Sequence, residues 1–179
     1  MITIKDVNEF SRKEFVALLG WIFEDTPWIA DKVWELRPFP SVQFLHRSMV
    51  KLVEKSSKEE KLVLIQAHPD LGTKIKLSTS SKIEQQQAGL DQLSPNEYKR
   101  FIALNNKYIK KYGFPFVLAV RGHNKDSIYD SMKRRVKNKE EQEFETAMEE
   151  IYKISWFRLR DIVTNEGSYN HGKSNNVLR

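Results

Sequence analysis

The stretch EEQEFETAMEEIYKISWFRLRDIV, Glu140 to Val163, decides the fold. It holds no proline or glycine. Phe144, Met148, Ile151, Ser155 and Ile162 recur at intervals that keep them on one arc of a helix turning ~100° per residue. Arg158 falls inside that apolar arc, whereas Arg160 lies on the opposite face with Lys153. A guanidinium turned toward a core requires an anionic partner. Two partners suit it: a buried carboxylate in a structural ion pair, or a substrate carboxylate held by the planar fork.

The helical period repeats outward from this segment. Ser11 and Glu14 form a capping box ahead of Phe15, Leu18, Leu19, Ile22 and Phe23. Thr26-Pro27 starts a short helix, with Pro27 suited to the first helical position, and Pro38 and Pro40 end it. Ser41 opens another, whose stripe is Val42, Leu45, Met49, Leu52 and Val53; Ser57 with Glu60 opens the helix that ends at His68. Gly72 to Ser80 is polar and predicts a loop, after which a helix restarts at Ser81. Ser94-Pro95-Asn96-Glu97 combines a cap, a first-turn proline and a capping glutamate, and predicts a helix to Tyr112 with Gly113 at its C-terminal end. FPFVLAV, Phe114 to Val120, is the one strand-like or fully buried run, and period alone does not separate those two readings. A helix over roughly Asp126 to Asn138 precedes the final one. The pattern predicts an all-α, single-domain bundle of about eight helices, with short connections between antiparallel neighbours. It spans residues 1–164; residues 165–179 carry no apolar stripe and are expected to form a polar tail or linker.

Composition narrows the function. With 179 residues, 40% hydrophobic and 30% charged, the chain is globular rather than disordered and long enough for one core. The absence of cysteine excludes disulfides and thiolate metal sites and fits a reducing compartment. No apolar run approaches the ~20 residues of a membrane span, and MITIKDVNEF lacks the layout of a signal peptide. A cytoplasmic protein with no membrane partner is expected. The net charge of +6 raises the question of nucleic acid. The basic MKRRVKNK, however, is followed by the acidic EEQEFETAMEE, and such neighbouring blocks read as solvated helix faces. No basic-aromatic stripe is present, so no nucleic-acid partner is expected. His46, His68, His123 and His171 are not paired at helical spacing. There is no His-Glu-x-x-His, Gly-rich phosphate loop or Gly-x-Ser-x-Gly elbow, so neither metal, nucleotide cofactor nor serine nucleophile is expected.

The segment AHPDLGTK, Ala67 to Lys74, remains. Pro69 pushes His68 out of the α region and fixes its direction at the helix end. Histidine is the side chain most easily titrated near neutral pH. Asp70 reads as a turn residue bonding nearby backbone. Glu84 reads, on spacing alone, as the glutamate of a Ser81–Glu84 capping box. It becomes a chemical group only if its carboxylate shares a cavity with His68.

HPDLGTK, SKIEQQQAGLDQL, YKRFIALNNKYIKKYGFPFVLAVRGHNK and FRLRDIV, in this order, resemble the motifs of the OHCU (2-oxo-4-hydroxy-4-carboxy-5-ureidoimidazoline) decarboxylases over roughly Ile4 to Val163. The resemblance implies an all-helical, homodimeric, cofactor-free carboxy-lyase of urate degradation whose product is (S)-allantoin. Its substrate would be the small molecule OHCU. The resemblance maps the catalytic residues onto His68, Glu84 and Arg158, and a backbone contact to substrate onto Pro69. It maps further substrate contacts onto Ser81, Lys82, Ile83 and Gln85, and onto Phe116, Val117, Leu118, Ala119 and Val120. Two departures lie in the loop after Leu71: it is shorter than in many relatives, and Gly72-Thr73 stands where Gly-Gly or Ala-Gly is common. Some bacterial relatives are fused to urate oxidase, so the tail could be the start of a linker. A catalytically silent helical partner of urate oxidase is the competing expectation.

Overall fold

Capping chemistry sets most of the boundaries in the computed structural model, which describes residues 1–71 and 78–166. Strand β1 (Ile2–Thr3) runs into α1 (Ile4–Glu9), where Thr3 and Asp6 cap each other; Ser11 and Glu14 do the same for α2 (Arg12–Leu19). Helix α3 (Trp28–Val33) follows Pro27, which stands at the cap rather than in the first turn. Ser41 caps α4 (Val42–Glu54), and the Ser57–Glu60 box opens α5 (Lys58–Gln66). Next come α6 (Thr79–Gln87) and α7 (Pro95–Tyr112), the latter with its Ser94–Glu97 box and first-turn proline. Gly113 ends α7 at φ 76°, a conformation that strains any residue with a Cβ. Asn124 caps α8 (Lys125–Arg135); α9 (Glu140–Ile162) leads into β2 (Val163–Thr164), which pairs in parallel with β1, Ile2 opposite Val163. Short 3₁₀ turns occupy Trp34–Leu36 and Leu90–Gln92.

Among the described residues there are nine α-helices, one more than the periodicity predicts. The addition is α1, six residues long and too short to show a period. It is held by burial of Ile4 and Val7 rather than by propensity. Helix α6 begins at Thr79, not Ser81, because the Ser78 hydroxyl accepts the Ser81 amide at 3.2 Å. Phe116 to Val120 is neither strand nor helix but a buried irregular segment with no ladder partner among the described residues. The predicted Gly72–Ser80 loop lies outside the described residues from 72 to 77, as do both of its departures; the predicted tail lies outside them from 167 onward. Asn165 accepts the Val42 amide at 2.7 Å, which ties the end of α9 to the start of α4.

Helix α9 is the spine: it packs against α4, α5 and α7, and its Ile151 and Leu159 are fully buried, as are Leu45 of α4, Leu64 of α5 and Tyr108 of α7. Each such apolar side chain contributes about 1.5–3 kcal/mol by leaving water. Arg158 is 3% exposed and Arg160 faces solvent, as the period of α9 requires. The charged blocks on either side of Lys139 are less solvated than their sequence implies. Glu143, Glu150 and Arg135 are all buried, and each is paired. No helix among the described residues is long and apolar enough to cross a membrane.

Candidate active site

The last turn of α5 delivers His68. Its amide bonds the Ile65 carbonyl at 3.1 Å, and Nδ1 lies 2.9 Å from the Leu64 carbonyl. A carbonyl only accepts, so Nδ1 carries the hydrogen. Nε2 is buried with no hydrogen-bond partner among the described residues, and the residue lines a cavity. Burial pushes the imidazole below its ordinary pKa, and Arg158 adds to this; the Glu24 charge and the Leu64 carbonyl oppose the shift without reversing it. At neutral pH the ring is therefore neutral, with the Nε2 lone pair available as a base.

Arg158 lines the same cavity from α9. Its Nε and Nη2 grip the two oxygens of Glu84 at 2.8 and 2.9 Å, a bidentate pair. Its Nη1 donates to Glu24 and, at 3.4 Å, to the Ile22 carbonyl; Nη2 also reaches Ser81 Oγ at 3.1 Å. All five guanidinium N–H groups thus have protein acceptors. Glu84 is consequently an ion-pair partner and not a cap, because the start of α6 at Thr79 moves it beyond the first turn.

Glu24 escapes notice in the sequence. It sits in the connection between α2 and α3 at φ 57°, far from Arg158 along the chain, and no period marks it. The only signal is indirect: an inward arginine needs an anion. Ser78 and Ser81 hydroxyls donate to Glu24 Oε1 at 2.7 and 2.6 Å. Burial works to raise its pKa, but the Arg158 charge and the two serine hydroxyls overcome this and hold it below the usual carboxylate range. Arg158 is likewise driven down by burial and more strongly up by Glu84 and Glu24, so it stays charged. Two carboxylates and one guanidinium leave the cluster at a formal −1 beside a neutral imidazole.

The cavity is narrow, with about 30 Å³ open to the centre of a water-sized sphere. His68, Pro69, Ser81, Glu84, Gln85 and Arg158 line it together with Phe116, Val117, Leu118, Val120 and, from α9, Ile154. Lys82 and Ile83 are not in its wall: residues 81, 84 and 85 share one face of α6, which turns 82 and 83 to solvent. Ala119 is buried but outside the lining, its amide donating to Glu150 at 2.8 Å. Gln85 donates to the Asp70 carbonyl at 3.4 Å, bracing the corner that follows His68. A neutral imidazole facing an oriented carboxylate is equipped to move and hold protons.

A family model described as OHCU decarboxylase matches residues 8–160. The 2-oxo-4-hydroxy-4-carboxy-5-ureidoimidazoline decarboxylase of Haloferax volcanii is 41% identical over 165 residues, covering 92% of this chain and 98% of that protein. The uric acid degradation bifunctional protein of Bacillus sp. (strain TB-90) is 43% identical over 179 residues, covering 100% of this chain and 34% of that protein. The chain thus spans about a third of the length of this bifunctional relative. A crystal structure of (S)-allantoin synthase superposes with a TM-score of 0.75 at 32% identity, covering 91% of this chain and 54% of that one.

Proposed function

The chain belongs to the OHCU decarboxylase family, and from that premise we propose that it decarboxylates 2-oxo-4-hydroxy-4-carboxy-5-ureidoimidazoline to (S)-allantoin in urate degradation. The observation that carries the reading is the meeting, in one cavity, of a His68 Nε2 without a hydrogen-bond partner among the described residues and a Glu84 carboxylate fixed by Arg158.

The substrate bears its carboxylate on a ring carbon that also carries a hydroxyl. When the carbon–carbon bond breaks, carbon dioxide leaves and the electron pair passes to the neighbouring ring C=N. The protein must orient the ring, take up the hydroxyl proton and return one proton to one face. His68 takes the hydroxyl proton on Nε2, since its neutral, Nδ1-protonated form is the one the buried site favours. Glu84 accepts from ring or ureido N–H groups. Arg158 serves by holding Glu84 and Glu24, because every one of its N–H groups already has a protein acceptor that a substrate oxygen would have to displace. Of its two candidate partners, this supports the protein carboxylate. The peptide groups of Phe116 to Val120 read the amide-rich ring.

The homodimer implied by the family resemblance, a urate oxidase partner or fusion supported by the bifunctional relative, and a cytoplasmic location fitting a cysteine-free chain belong to the same proposal. So does the division into a domain of residues 1–164 and a tail.

The test is to mix the protein with freshly generated OHCU and follow the product by circular dichroism. Spontaneous decay gives racemate, so an excess of (S)-allantoin is expected from the protein. Racemic product at the spontaneous rate would remove the activity.

A further inference from the structure

The charged residues that the sequence presents as solvated blocks converge on the back of the Phe116–Val120 segment. Arg135 Nη1 donates to the Val117 carbonyl at 2.7 Å. Glu150 Oε2 accepts the Ala119 amide at 2.8 Å. These two groups belong to residues two apart. Trans peptide planes turn the N–H and C=O of Leu118, between them, away from the two held groups. Leu118 lines the cavity with Phe116, Val117 and Val120, whereas Ala119 does not.

Both holding groups are themselves fixed from outside the cavity. The Arg135 Nε bonds Glu143 at 2.7 Å, and Glu143 also takes Tyr108 and Asn138. The Arg135 guanidinium lies over the Phe116 ring, 4.3 Å from its centroid. Glu150 gives its other oxygen to Lys153 at 2.6 Å. Beyond the segment, the Val120 carbonyl is locked by the His123 amide at 2.9 Å in a turn where Gly122 has φ 83°. A buried ion pair is weak evidence for stability, since apolar residues of similar volume often do as well. Here the pairs share a different property: each ends on a backbone group of one cavity wall.

We propose that Glu150 and Arg135 are positioning residues that orient the peptide edge at Leu118 which reads the substrate ring. The inference rests on the function proposed above. Glu150 is the better probe, because Arg135 is tied to the fully buried Glu143 and its loss risks the fold. Glu150→Gln keeps a carbonyl oxygen for the Ala119 amide, whereas Glu150→Ala strands that amide.

The experiment measures KM, kcat and far-UV circular dichroism of wild type and both variants with fresh OHCU, together with calorimetric binding of (S)-allantoin. Glu150→Ala should raise KM and weaken allantoin binding about tenfold, with a smaller change in kcat. Glu150→Gln should return both to within about threefold of wild type. A purely structural role would lower the active fraction of Glu150→Ala, and hence apparent kcat, with KM unchanged; that outcome overturns the proposal. So does a Glu150→Gln variant as impaired as Glu150→Ala. If wild type turns over normally and Glu150→Ala matches it, this inference alone fails. If wild type neither turns over OHCU nor binds allantoin, the reading of the site fails and this inference with it.

Discussion

Replacing Arg158 by methionine should expose how the site is held together. Methionine keeps most of the buried stem and removes the charge. Glu84, with 24% of its side chain exposed, can turn to water, but Glu24, at 4%, cannot. Its remaining partners are the hydroxyls of Ser78 and Ser81. A buried charge left without its counter-ion costs about 3–5 kcal/mol, which for a domain of this size lowers Tm by about 6–20 °C. The assay is urea unfolding at pH 8 and pH 5. In wild type the Glu24 pKa is depressed, so its contribution is present above the unfolded value and is lost as pH falls through the folded one. Without Arg158, burial dominates and raises the pKa. The stranded charge then weighs most at pH 8, and the deficit shrinks as pH falls and the carboxyl takes a proton. Adding Glu24→Gln to the Arg158→Met variant removes the charge and should recover about 2 kcal/mol at pH 8. A loss below about 1 kcal/mol at pH 8, or no recovery in the double variant, would refute the stranded-charge argument.

Four further outcomes follow from the structure. His68→Asn should lower kcat about 10²–10⁴-fold with the far-UV spectrum unchanged; retention of near-full, enantiospecific turnover would exclude His68 as the base. Because burial lowers its pKa, the acid limb of kcat/KM should fall below the ordinary histidine value of about 6.5, with activity lost as pH drops; a midpoint above that value would contradict a neutral ring. Arg158→Lys removes the fork and should reduce turnover far more than Arg160→Lys on the solvent face, and equal small effects would sink the assignment. His46, held near pKa 4 by burial against its bond to the Tyr152 carbonyl, binds its proton less readily when folded. Stability should therefore fall between pH 6.5 and 4 by up to about 3 kcal/mol, and His46→Gln should flatten that slope in urea titrations.

Capping residues and apolar periods are local, and the elements they define were the legible part of the fold. Ser41, Ser57 and Ser94 each stand at the cap their spacing implies, and Gly113 closes α7. The period of α9 also placed Arg158 inward. Two things were hidden because they depend on partners far along the chain. Glu24 joins the site from a turn without period, and Glu143 and Glu150 look like members of a solvated acidic run until Arg135 and the Ala119 amide arrive to meet them. Ser81–Glu84 shows the opposite failure. It has the spacing of a capping box, but Ser78 three residues earlier has equal capping chemistry and takes the position. Spacing alone does not rank two serines, whereas the ion pair to Arg158 fixes which face of α6 points inward.

The placement of charge on α9 links these observations. Glu143, Glu150 and Arg158 lie seven and eight residues apart, about two turns each, so they fall along one side of a single helix over roughly 22 Å. At one end Glu143 steadies the arginine that holds Val117; in the middle Glu150 holds Ala119; at the far end Arg158 holds Glu84 and Glu24. The cavity lining draws on segments more than thirty residues apart, Ser81 to Gln85 and Phe116 to Val120, and α9 reaches both. A rigid helix therefore sets the spacing between the Phe116–Val120 segment and the Glu84 carboxylate. Proton transfer is sensitive to errors of an ångström. The core positions of α9 accordingly carry charged residues where apolar ones would pack as well, because here each charge ends on a group that has to be held in one place.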